Sequence, residues 1–260
     1  MSPLITAMIL GLMQGILEWL PISSQGNLVV LSIAILGLEP AHALSLSVLL
    51  HIGTGLAAFV YFRNEVFKIL QRGTEEDRSL FRFLAISTVT TGLVGVPLFI
   101  FVKTATYMGE ALLALTGAAL IATGIIQRKS GHEGAQTSET LDAGDGLALG
   151  VVQGFSALPG LSRSGLTTSA LLFKRFPGKE AFRVSFLMSI PAAFAATAGL
   201  ALIGGVPQID ASILVALLAS FLSAIVSIDF FIKLAKRTRF WKLCILLGLI
   251  ALVAVLPYLF

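Results

Sequence analysis

Hydrophobic residues in this chain form long runs separated by short polar segments. A helix of about 20 apolar residues is long enough to cross the hydrocarbon core of a bilayer. The pattern therefore predicts six transmembrane helices, near residues 42 to 62, 82 to 102, 109 to 127, 181 to 203, 211 to 232 and 241 to 260. Composition agrees with an integral membrane protein, since 56% of the residues are hydrophobic and only 12% are charged.

Two further apolar segments, at 4 to 36 and 144 to 174, are interrupted by proline, serine and glycine. Their arms are too short to cross a membrane separately. Unpaired backbone groups cost several kcal/mol in lipid, so such a break has to be sheltered by protein or line a wet cavity. Each segment predicts a re-entrant helical hairpin. The predicted fold class is an all-α polytopic membrane protein with about six transmembrane helices and two re-entrant hairpins.

The second broken segment repeats the first. LGLMQG at 10 to 15 matches LGVVQG at 149 to 154, and the Leu20-Pro21 pair matches Leu158-Pro159. We therefore predict a single membrane domain over 1–260, built from halves at about 1–128 and 144–260 and joined by a polar linker at 129–143. One hairpin and three full crossings in each half would turn the second half upside down, which makes an inverted repeat.

The basic residues provide a separate test of this topology. Of the 18 lysines and arginines, all except Lys103 and Arg163 fall in segments that the topology places on one side of the membrane. The positive-inside rule makes this side cytoplasmic, so both termini are predicted to lie outside a cell membrane. Because these charges serve orientation, no nucleic-acid partner is expected. The single cysteine, Cys244, rules out a disulfide within the chain.

Polar residues concentrate at the two breaks. Gln14 and Glu18 are four residues apart, hence on one helix face, and Ser23, Ser24 and Asn27 follow. The second break holds Ser156, Ser162, Arg163, Ser164, Gly165, Thr167 and Thr168.

Two interpretations of this cluster remain open. In the structural one, Glu18 and Arg163 pair to hold the hairpins together while serines cap the broken helices. In the functional one, helix N-termini, backbone amides and the guanidinium bind a phosphate. The carboxylate then holds a divalent cation or acts as a base toward a hydroxyl.

Both breaks resemble the signature motifs of the undecaprenyl-diphosphate phosphatase family, also called the bacitracin-resistance proteins. The motifs are Gln14-x-x-x-Glu18 with Leu20-Pro21-Ile22-Ser23-Ser24-x-Gly26, and Leu158-Pro159-Gly160-x-Ser162-Arg163-Ser164-Gly165-x-Thr167. The resemblance implies a membrane phosphatase that removes the terminal phosphate of a polyprenyl diphosphate and so recycles the lipid carrier of cell-wall synthesis. It also implies a divalent metal, Mg²⁺ or Ca²⁺, held by Glu18 and Gln14.

The resemblance assigns catalytic roles to Glu18, Ser24 and Arg163. The candidate substrate-binding residues are Gln14, Ser23, Gly26, Asn27, His51, Ser162, Ser164, Gly165 and Thr167. The expected partners are a polyprenyl diphosphate and membrane lipid, with a homodimer as a further candidate assembly.

The chain departs from the family pattern at Asn27, where the first motif usually has histidine. Asparagine cannot carry a proton in catalysis. Three outcomes stay open: Glu18 serves as base for Ser24 or water, His51 substitutes from the adjacent span, or activity is reduced or lost. The rival function is a polyprenyl-phosphate transporter or flippase, because inverted repeats with broken helices are a common transporter design and would need the same anion site.

Overall fold

The computed structural model describes residues 2–105, 109–129, 134–203, 205–235, 240–253 and 255. Across these residues the chain is helical and contains no β-strand. The first half contains α1 (Pro3–Leu17), α2 (Ser24–Ala34), α3 (Pro40–Leu49), α4 (His51–Tyr61), α5 (Arg63–Gln71), α6 (Glu75–Ala105) and α7 (Gly109–Lys129). The second contains a 3₁₀ turn (Ser138–Thr140), α8 (Ala143–Gly154), a second 3₁₀ turn (Phe155–Ala157), α9 (Arg163–Phe173), α10 (Gly178–Leu202), α11 (Ala211–Ala235) and α12 (Phe240–Val253).

Five stretches of the described chain are long and apolar enough to cross a membrane: Pro40–Tyr61, Glu75–Thr104, Ala111–Lys129, Gly178–Leu202 and Ala211–Phe230. The first of these combines α3 and α4, which meet at Leu50. Helix α12 covers the start of the sixth predicted span, and most of the residues after it lie outside the described part. These spans confirm an all-α polytopic membrane protein.

Large apolar side chains on the outside of the molecule agree with a lipid environment. Leu93 on α6 is 71% exposed and Val226 on α11 is 81% exposed. Such exposure would be costly in water, whereas lipid tails solvate these side chains well.

Both predicted breaks are present. Helix α1 ends at Leu17 and α2 begins at Ser24, while α8 ends at Gly154 and α9 begins at Arg163. The residues between them form turns and, in the second case, a short 3₁₀ turn. The proline, serine and glycine content of the sequence therefore located both interruptions correctly.

Small residues let the arm before each break pack closely on a long helix. Helix α1 lies along α11, and α8 lies along α6. A Cβ atom added to Gly15 would lie 2.7 Å from the backbone nitrogen of Ala224 on α11, and one added to Gly150 would lie 2.6 Å from Cβ of Thr90 on α6. Glycine at these positions lets the backbones approach, which is the usual basis of helix packing in membranes.

A buried aromatic cluster lies beside the first break. Trp19 is fully buried and its indole Nε1 donates to the carbonyl of Ala224 at 3.1 Å. Its ring packs edge-on against Phe186 of α10, with 5.4 Å between ring centroids. These two contacts attach Trp19, the residue after Glu18, to α10 and α11, so the backbone around Glu18 is held in place.

A second polar cluster ties the linker region to the ends of three helices. Arg183 of α10 donates to Glu65, Glu180 and Ser138, and Ser138 donates to Glu76 at 2.6 Å. Burial raises the pKa of the Glu65 carboxyl above its ordinary value, although the Arg183 guanidinium beside it acts in the opposite direction. The cluster joins α5, α6 and α10 near the segments that carry most of the basic residues.

Candidate active site

The two breaks touch each other through glycines. A Cβ atom added to Gly26 would lie 2.7 Å from the backbone nitrogen of Gly160. Gly160 itself has a positive φ of 96°, a conformation that glycine adopts without steric cost. This contact brings the N-termini of α2 and α9 to one place inside the protein.

Helix α2, which follows the first break, is capped by a serine in a strained backbone conformation. Ser23 is the N-cap of α2 and has a φ of 60°, which is uncommon for a residue with a side chain. Its Oγ accepts from the backbone N–H of Gly26 at 3.2 Å. The side-chain amide of Asn27 donates to the carbonyls of Ile22 and Ser23, each at 2.8 Å. Asn27 therefore stabilises the turn by binding its backbone.

The second break is capped in a similar way. Ser162 is the N-cap of α9 and its Oγ accepts from the N–H of Gly165 at 3.1 Å. Ser164 donates across to the carbonyl of Leu20 in the first break at 3.2 Å. Serines therefore cap the second helix and also link the two breaks.

Glu18 is the centre of the polar cluster and is only 6% exposed. Its Oε1 atom accepts from the guanidinium of Arg163. Its Oε2 atom accepts from Gln14 Nε2 at 2.9 Å and from Ser24 Oγ at 2.7 Å, and lies 3.3 Å from His51 Nε2. One carboxylate thus joins the hydroxyl of one half-helix to the guanidinium of the other.

Arg163 is the first residue of α9 and is held from two sides. Besides Glu18, its guanidinium donates to the carbonyl of Ser185 on α10 at 3.2 Å. An arginine side chain has five N–H donors in a planar fork, so further donors remain for an anion. The positive ends of the α2 and α9 dipoles add to the same field.

A cavity of about 150 Å³ opens beside this cluster. Its polar wall contains Glu18, Ser23, Ser24, Gln25, His51, Thr91, Gln153, Ser156, Ser162, Arg163, Ser164 and Ser189. The remaining wall consists of apolar and small residues, chiefly from α6 and α10. The cavity therefore has one charged polar region that continues into an apolar region.

Seven of the predicted site residues line this cavity: Glu18, Ser23, Ser24, His51, Ser162, Arg163 and Ser164. The other five, Gln14, Gly26, Asn27, Gly165 and Thr167, lie outside its lining. The amides of Gly26 and Gly165 bind the capping serines, and Thr167 donates to the Arg163 carbonyl at 2.8 Å. Direct substrate contact by these five residues stays a prediction. Their described contacts hold the residues of the two breaks that line the cavity.

Four polar residues of the cavity wall were not predicted from the sequence. These are Gln25, Thr91, Gln153 and Ser189. Gln153 donates to Thr91 Oγ1 at 3.0 Å, and its own Oε1 atom is buried without a partner among the described residues. The signal for Gln153 was the repeat itself, since it occupies the position of Gln14 in the second copy. No sequence pattern indicated Gln25, because it occupies the variable position, written x, of the first motif.

Comparison with known proteins identifies the family. The family described as Bacitracin resistance protein BacA matches residues 7–252 of this chain. The chain belongs to the BacA family.

Curated relatives of this BacA-family protein match it over nearly its full length. The "Undecaprenyl-diphosphatase" of Methanococcoides burtonii is 42% identical over 261 residues, covering 96% of this chain and 98% of its own. Proteins of the same name from Haloarcula marismortui and Methanopyrus kandleri are 36% and 38% identical, each covering 95% of this chain and 96% and 94% of their own.

The donor set of this BacA-family site fits a hard divalent cation. Such ions prefer oxygen ligands from carboxylates, amides and hydroxyls. Glu18, Ser23 and Ser24 present oxygens at the cavity, and the Oε1 atom of Gln14 is buried without a hydrogen-bond partner among the described residues. The described residues contain no group of three or more His, Cys, Asp and Glu side chains that could hold a metal ion together, so the protein alone supplies few charged ligands. A cation here would share its coordination with a phosphate.

Proposed function

We propose that this protein is a membrane phosphatase that hydrolyses a polyprenyl diphosphate of the undecaprenyl type. Its products are the lipid monophosphate and inorganic phosphate, and the reaction returns a lipid carrier to use. The names of the curated relatives support this activity. The observation that carries it is the contact of Ser24 and Arg163 with one carboxylate, Glu18, at the wall of a cavity.

Substrate binding relies on charge at the meeting point of the two breaks. The terminal phosphate lies against Arg163 and the N-termini of α2 and α9, because guanidinium donors and helix dipoles both favour an anion. The Nε2 atom of Gln25, which has no hydrogen-bond partner in the described part of the chain, supplies another donor at the cavity wall. Transfer of a phosphoryl group depends mainly on positioning and charge stabilisation, which these groups provide.

Ser24 is the nucleophile in this proposal. Its Oγ–H already points at Glu18 Oε2, so the carboxylate accepts the proton as Oγ bonds to the terminal phosphorus. The bond from that phosphorus to the bridging oxygen breaks, and the lipid monophosphate leaves with the electron pair. Water then attacks the phosphoserine, and the released Ser24 oxygen recovers its proton from Glu18.

Glu18, Gln14 and the serines at the cavity would hold the divalent cation. Bound there, Mg²⁺ or Ca²⁺ would neutralise charge on the diphosphate oxygens and help orient them. Arg163 also neutralises charge on the substrate, from the opposite break. The protein and the ion would therefore share this role.

The apolar part of the cavity takes the start of the isoprenoid chain. Val96 and Phe99 on α6 face a run of small residues on α10 that includes Ala192, Ala196 and Gly199. Small side chains leave space between the two helices, and the surface they expose is apolar. A free sugar or nucleoside diphosphate would gain nothing from this wall.

The predicted topology remains part of the proposal. Helix α1 packs along α11 as α8 packs along α6, and the pairs α4 with α10 and α7 with α12 join equivalent helices of the two halves. This symmetry of contacts supports an inverted repeat with two re-entrant hairpins in a single domain.

The cavity opens toward the outer leaflet in this topology. It is lined by residues between 91 and 99 of α6, by residues between 189 and 200 of α10 and by Ile203 at the end of α10, the halves of these helices that lie away from the basic segments. By the positive-inside rule the basic segments are cytoplasmic, which places both chain termini outside a cell membrane. The homodimer stays a prediction, to be checked by the mass of the protein in detergent.

The experiment is phosphate release by the purified full-length protein from an undecaprenyl diphosphate in detergent. Wild type should release one phosphate per lipid, and Glu18→Gln, Ser24→Ala and Arg163→Ala should each lower kcat by roughly 100-fold or more. Ser32→Ala, a buried serine outside the cavity lining, is the matched control and should keep normal turnover. Movement of the lipid across proteoliposomes without any phosphate release by wild type would overturn the proposal in favour of a transporter.

A further inference from the structure

We infer that Gln153 binds and orients the water that hydrolyses the phosphorylated Ser24. Gln153 lines the cavity together with Thr91, Ser156 and Ser189, and we call these four residues the acceptor wall. The inference rests on the proposed function and deepens it, because it assigns the second half of the same reaction to residues outside the Glu18 cluster.

The orientation of the Gln153 amide follows from its contact with Thr91. Gln153 is 1% exposed, and its Nε2 atom lies 3.0 Å from Thr91 Oγ1. Thr91 Oγ1 has one hydrogen, which it donates to the backbone carbonyls of Ser87 at 2.7 Å and Gly150 at 3.2 Å. A hydroxyl with its hydrogen engaged can only accept, so the amide N–H group of Gln153 faces Thr91. The amide oxygen is thereby left as an acceptor for another partner.

That oxygen belongs to a residue of the cavity wall. Gln153 Oε1 is buried and has no hydrogen-bond partner in the part of the chain that the structure describes. A buried acceptor that stays unpaired is unfavourable, because it has lost its hydrogen bonds to water. The position therefore favours a molecule in the cavity that can donate a hydrogen bond.

The serines of the acceptor wall have the same polarity. Ser156 Oγ donates to the backbone carbonyl of Gln153, and Ser189 Oγ donates to that of Phe186, each at 2.6 Å. Each hydroxyl has a single hydrogen, so only lone pairs remain for a molecule in the cavity. Oxygen acceptors without charge therefore make up the polar groups of this wall.

The opposite polarity is present at the meeting point of the breaks. The guanidinium of Arg163 and the Nε2 atom of Gln25 are donors at the cavity. Ionised phosphate oxygens are acceptors, so the phosphate belongs beside these donors and not beside the acceptor wall. The cavity thus separates a place for an anion from a place for a hydrogen-bond donor.

Water fits the acceptor wall better than a cation does. A divalent cation favours carboxylate ligands, and the four residues of the wall include none. A water molecule is uncharged and donates two hydrogen bonds. It needs roughly 10–15 Å³ of space and two to four polar partners, and the cavity of about 150 Å³ provides more than this. We therefore assign the wall to water.

The sequence repeat shows how the second arm differs from the first. Glu18 follows Gln14 by four residues, whereas Ala157 follows Gln153 by four residues. Gln14 therefore donates to a carboxylate on its own arm, while Gln153 donates to Thr91 on α6. Without a carboxylate one turn away, the second arm presents an uncharged oxygen to the cavity.

The reaction step needs no proton acceptor on the acceptor wall. The water donates one hydrogen bond to Gln153 Oε1 and directs a lone pair at phosphorus. As the new bond between oxygen and phosphorus forms, the bond from phosphorus to Ser24 Oγ breaks, and Oγ recovers the proton held by Glu18. Both hydrogens of the water stay on the released phosphate. Orientation of an attacking water by a side chain is a recurring part of phosphoryl transfer.

The first test is Gln153→Met, which removes Oε1 and keeps a side chain of similar length. Hydrolysis of the phosphoserine should slow, so kcat should fall by roughly 30-fold. The ratio kcat/KM should stay unchanged, because it reports the steps up to release of the lipid monophosphate. Substrate labelled with ³²P in its terminal phosphate should leave label on the acid-quenched variant, approaching one phosphate per protein, and little on wild type.

The control is Gln71→Met, the same substitution at the exposed end of α5, which should behave as wild type. A residue that only tied α8 to α6 would slow both halves of the reaction when it was replaced. A fall of kcat/KM in Gln153→Met without bound label would therefore overturn the inference, and so would an unchanged kcat.

A competing nucleophile tests the same role without reference to the overall rate. Methanol added to the assay competes with water for the phosphoryl group and gives methyl phosphate. Water loses its oriented position in Gln153→Met, so the ratio of methyl phosphate to inorganic phosphate should rise at least about threefold over wild type. An equal ratio in the two proteins would refute the inference.

Ser189→Ala keeps the inference testable if Gln153→Met does not fold. It removes one acceptor of the wall, and the carbonyl that it frees lies in the same helix, α10. We expect a fall of kcat of about threefold with kcat/KM unchanged, and Ser32→Ala as the matched control should show neither effect. Normal kcat in Ser189→Ala beside an unfolded Gln153→Met would overturn the inference. Absence of phosphate release by wild type would instead refute the proposed function.

Discussion

Thr123 and Gln127 lie one turn apart on α7, and each binds the backbone at a different break. Thr123 Oγ1 donates to the Gly160 carbonyl and accepts from the Ser162 N–H, both at 3.2 Å. Gln127 Nε2 donates to the carbonyl of Pro21. Residues four apart share a helix face, so one rigid helix fixes the separation of the two half-helix N-termini.

Loss of either contact should disturb the alignment of the site residues more than it lowers the stability of the fold. Thr123→Val removes the partner of the Gly160 carbonyl and of the Ser162 N–H, and a buried backbone group left unpaired costs about 1–3 kcal/mol. Gln127→Leu leaves the Pro21 carbonyl with only the weak thiol donor of Cys244 among the described residues, so its cost should lie at the lower end of that range. We expect a lower unfolding temperature in detergent and at least a tenfold fall in kcat for each variant, since Ser24 and Arg163 lose their alignment. Thr104→Val, which changes an exposed threonine, is the control. Normal turnover in both α7 variants would show that α7 does not position the site.

Gly26→Ala should be costly because the two breaks are in contact there. The new Cβ would lie 2.7 Å from Gly160 N and 2.8 Å from Gly160 Cα, and neither backbone atom can move aside easily. Overpacking of this kind costs about 1–3 kcal/mol. The measurement is thermal unfolding together with phosphate release, and both should decline.

The control for this change is Gly178→Ala. Nothing lies within 4 Å of a Cβ at Gly178, so the added methyl group meets open space. Alanine there should leave stability unchanged or raise it slightly, because it restricts the unfolded chain. Equal effects of the two substitutions would contradict the proposed contact between the breaks.

Divalent cations should bind the free protein through Glu18 and its neighbours. Addition of Mg²⁺ or Ca²⁺ is expected to raise the unfolding temperature of wild type, because a ligand that binds only the folded state stabilises it. Gln14→Leu removes the buried amide oxygen that lacks a partner among the described residues and should weaken this effect, as should Glu18→Gln. A full response in Glu18→Gln would place the ion elsewhere. Chelation should lower phosphate release by wild type.

The Arg183 cluster predicts a pH dependence of stability. Burial raises the pKa of Glu65, so this carboxyl favours folding at acidic pH, and the contribution is lost as pH rises through the folded-state pKa. Glu65→Gln does not titrate. The unfolding free energy of this variant minus that of wild type should therefore increase as pH rises from about 4 to about 7. Urea unfolding in detergent at several pH values measures it.

The control for this comparison is Gln71→Ala, at the exposed end of the same helix α5. It removes no titrating group, so its difference from wild type should stay constant with pH. A difference for Glu65→Gln that shrinks as pH rises would contradict the assigned direction.

The hydrophobic pattern by itself determined much of this protein. Long apolar runs predict spans because a helix of fixed rise has to cover a fixed thickness of lipid. Pro21 and Pro159 located the breaks because proline cannot donate to a helix and backbone in lipid cannot stay unpaired. The motif residues Glu18, Ser24 and Arg163 were found for the same reason, since charges and hydroxyls are rarely placed at membrane depth without a use.

Only the tertiary structure decided which of these residues face the cavity. Spacing along the chain places Gln14 and Glu18 on one helix face but does not show that Gln14 lies behind Glu18. Nothing in the sequence places His51 beside Glu18, 33 positions earlier in the chain, or brings Gln127 to Pro21. Such contacts depend on how whole helices pack, and packing is set by many small side chains acting together. Side-chain chemistry could therefore be predicted from the sequence, whereas the pairing of His51 with Glu18 required the fold.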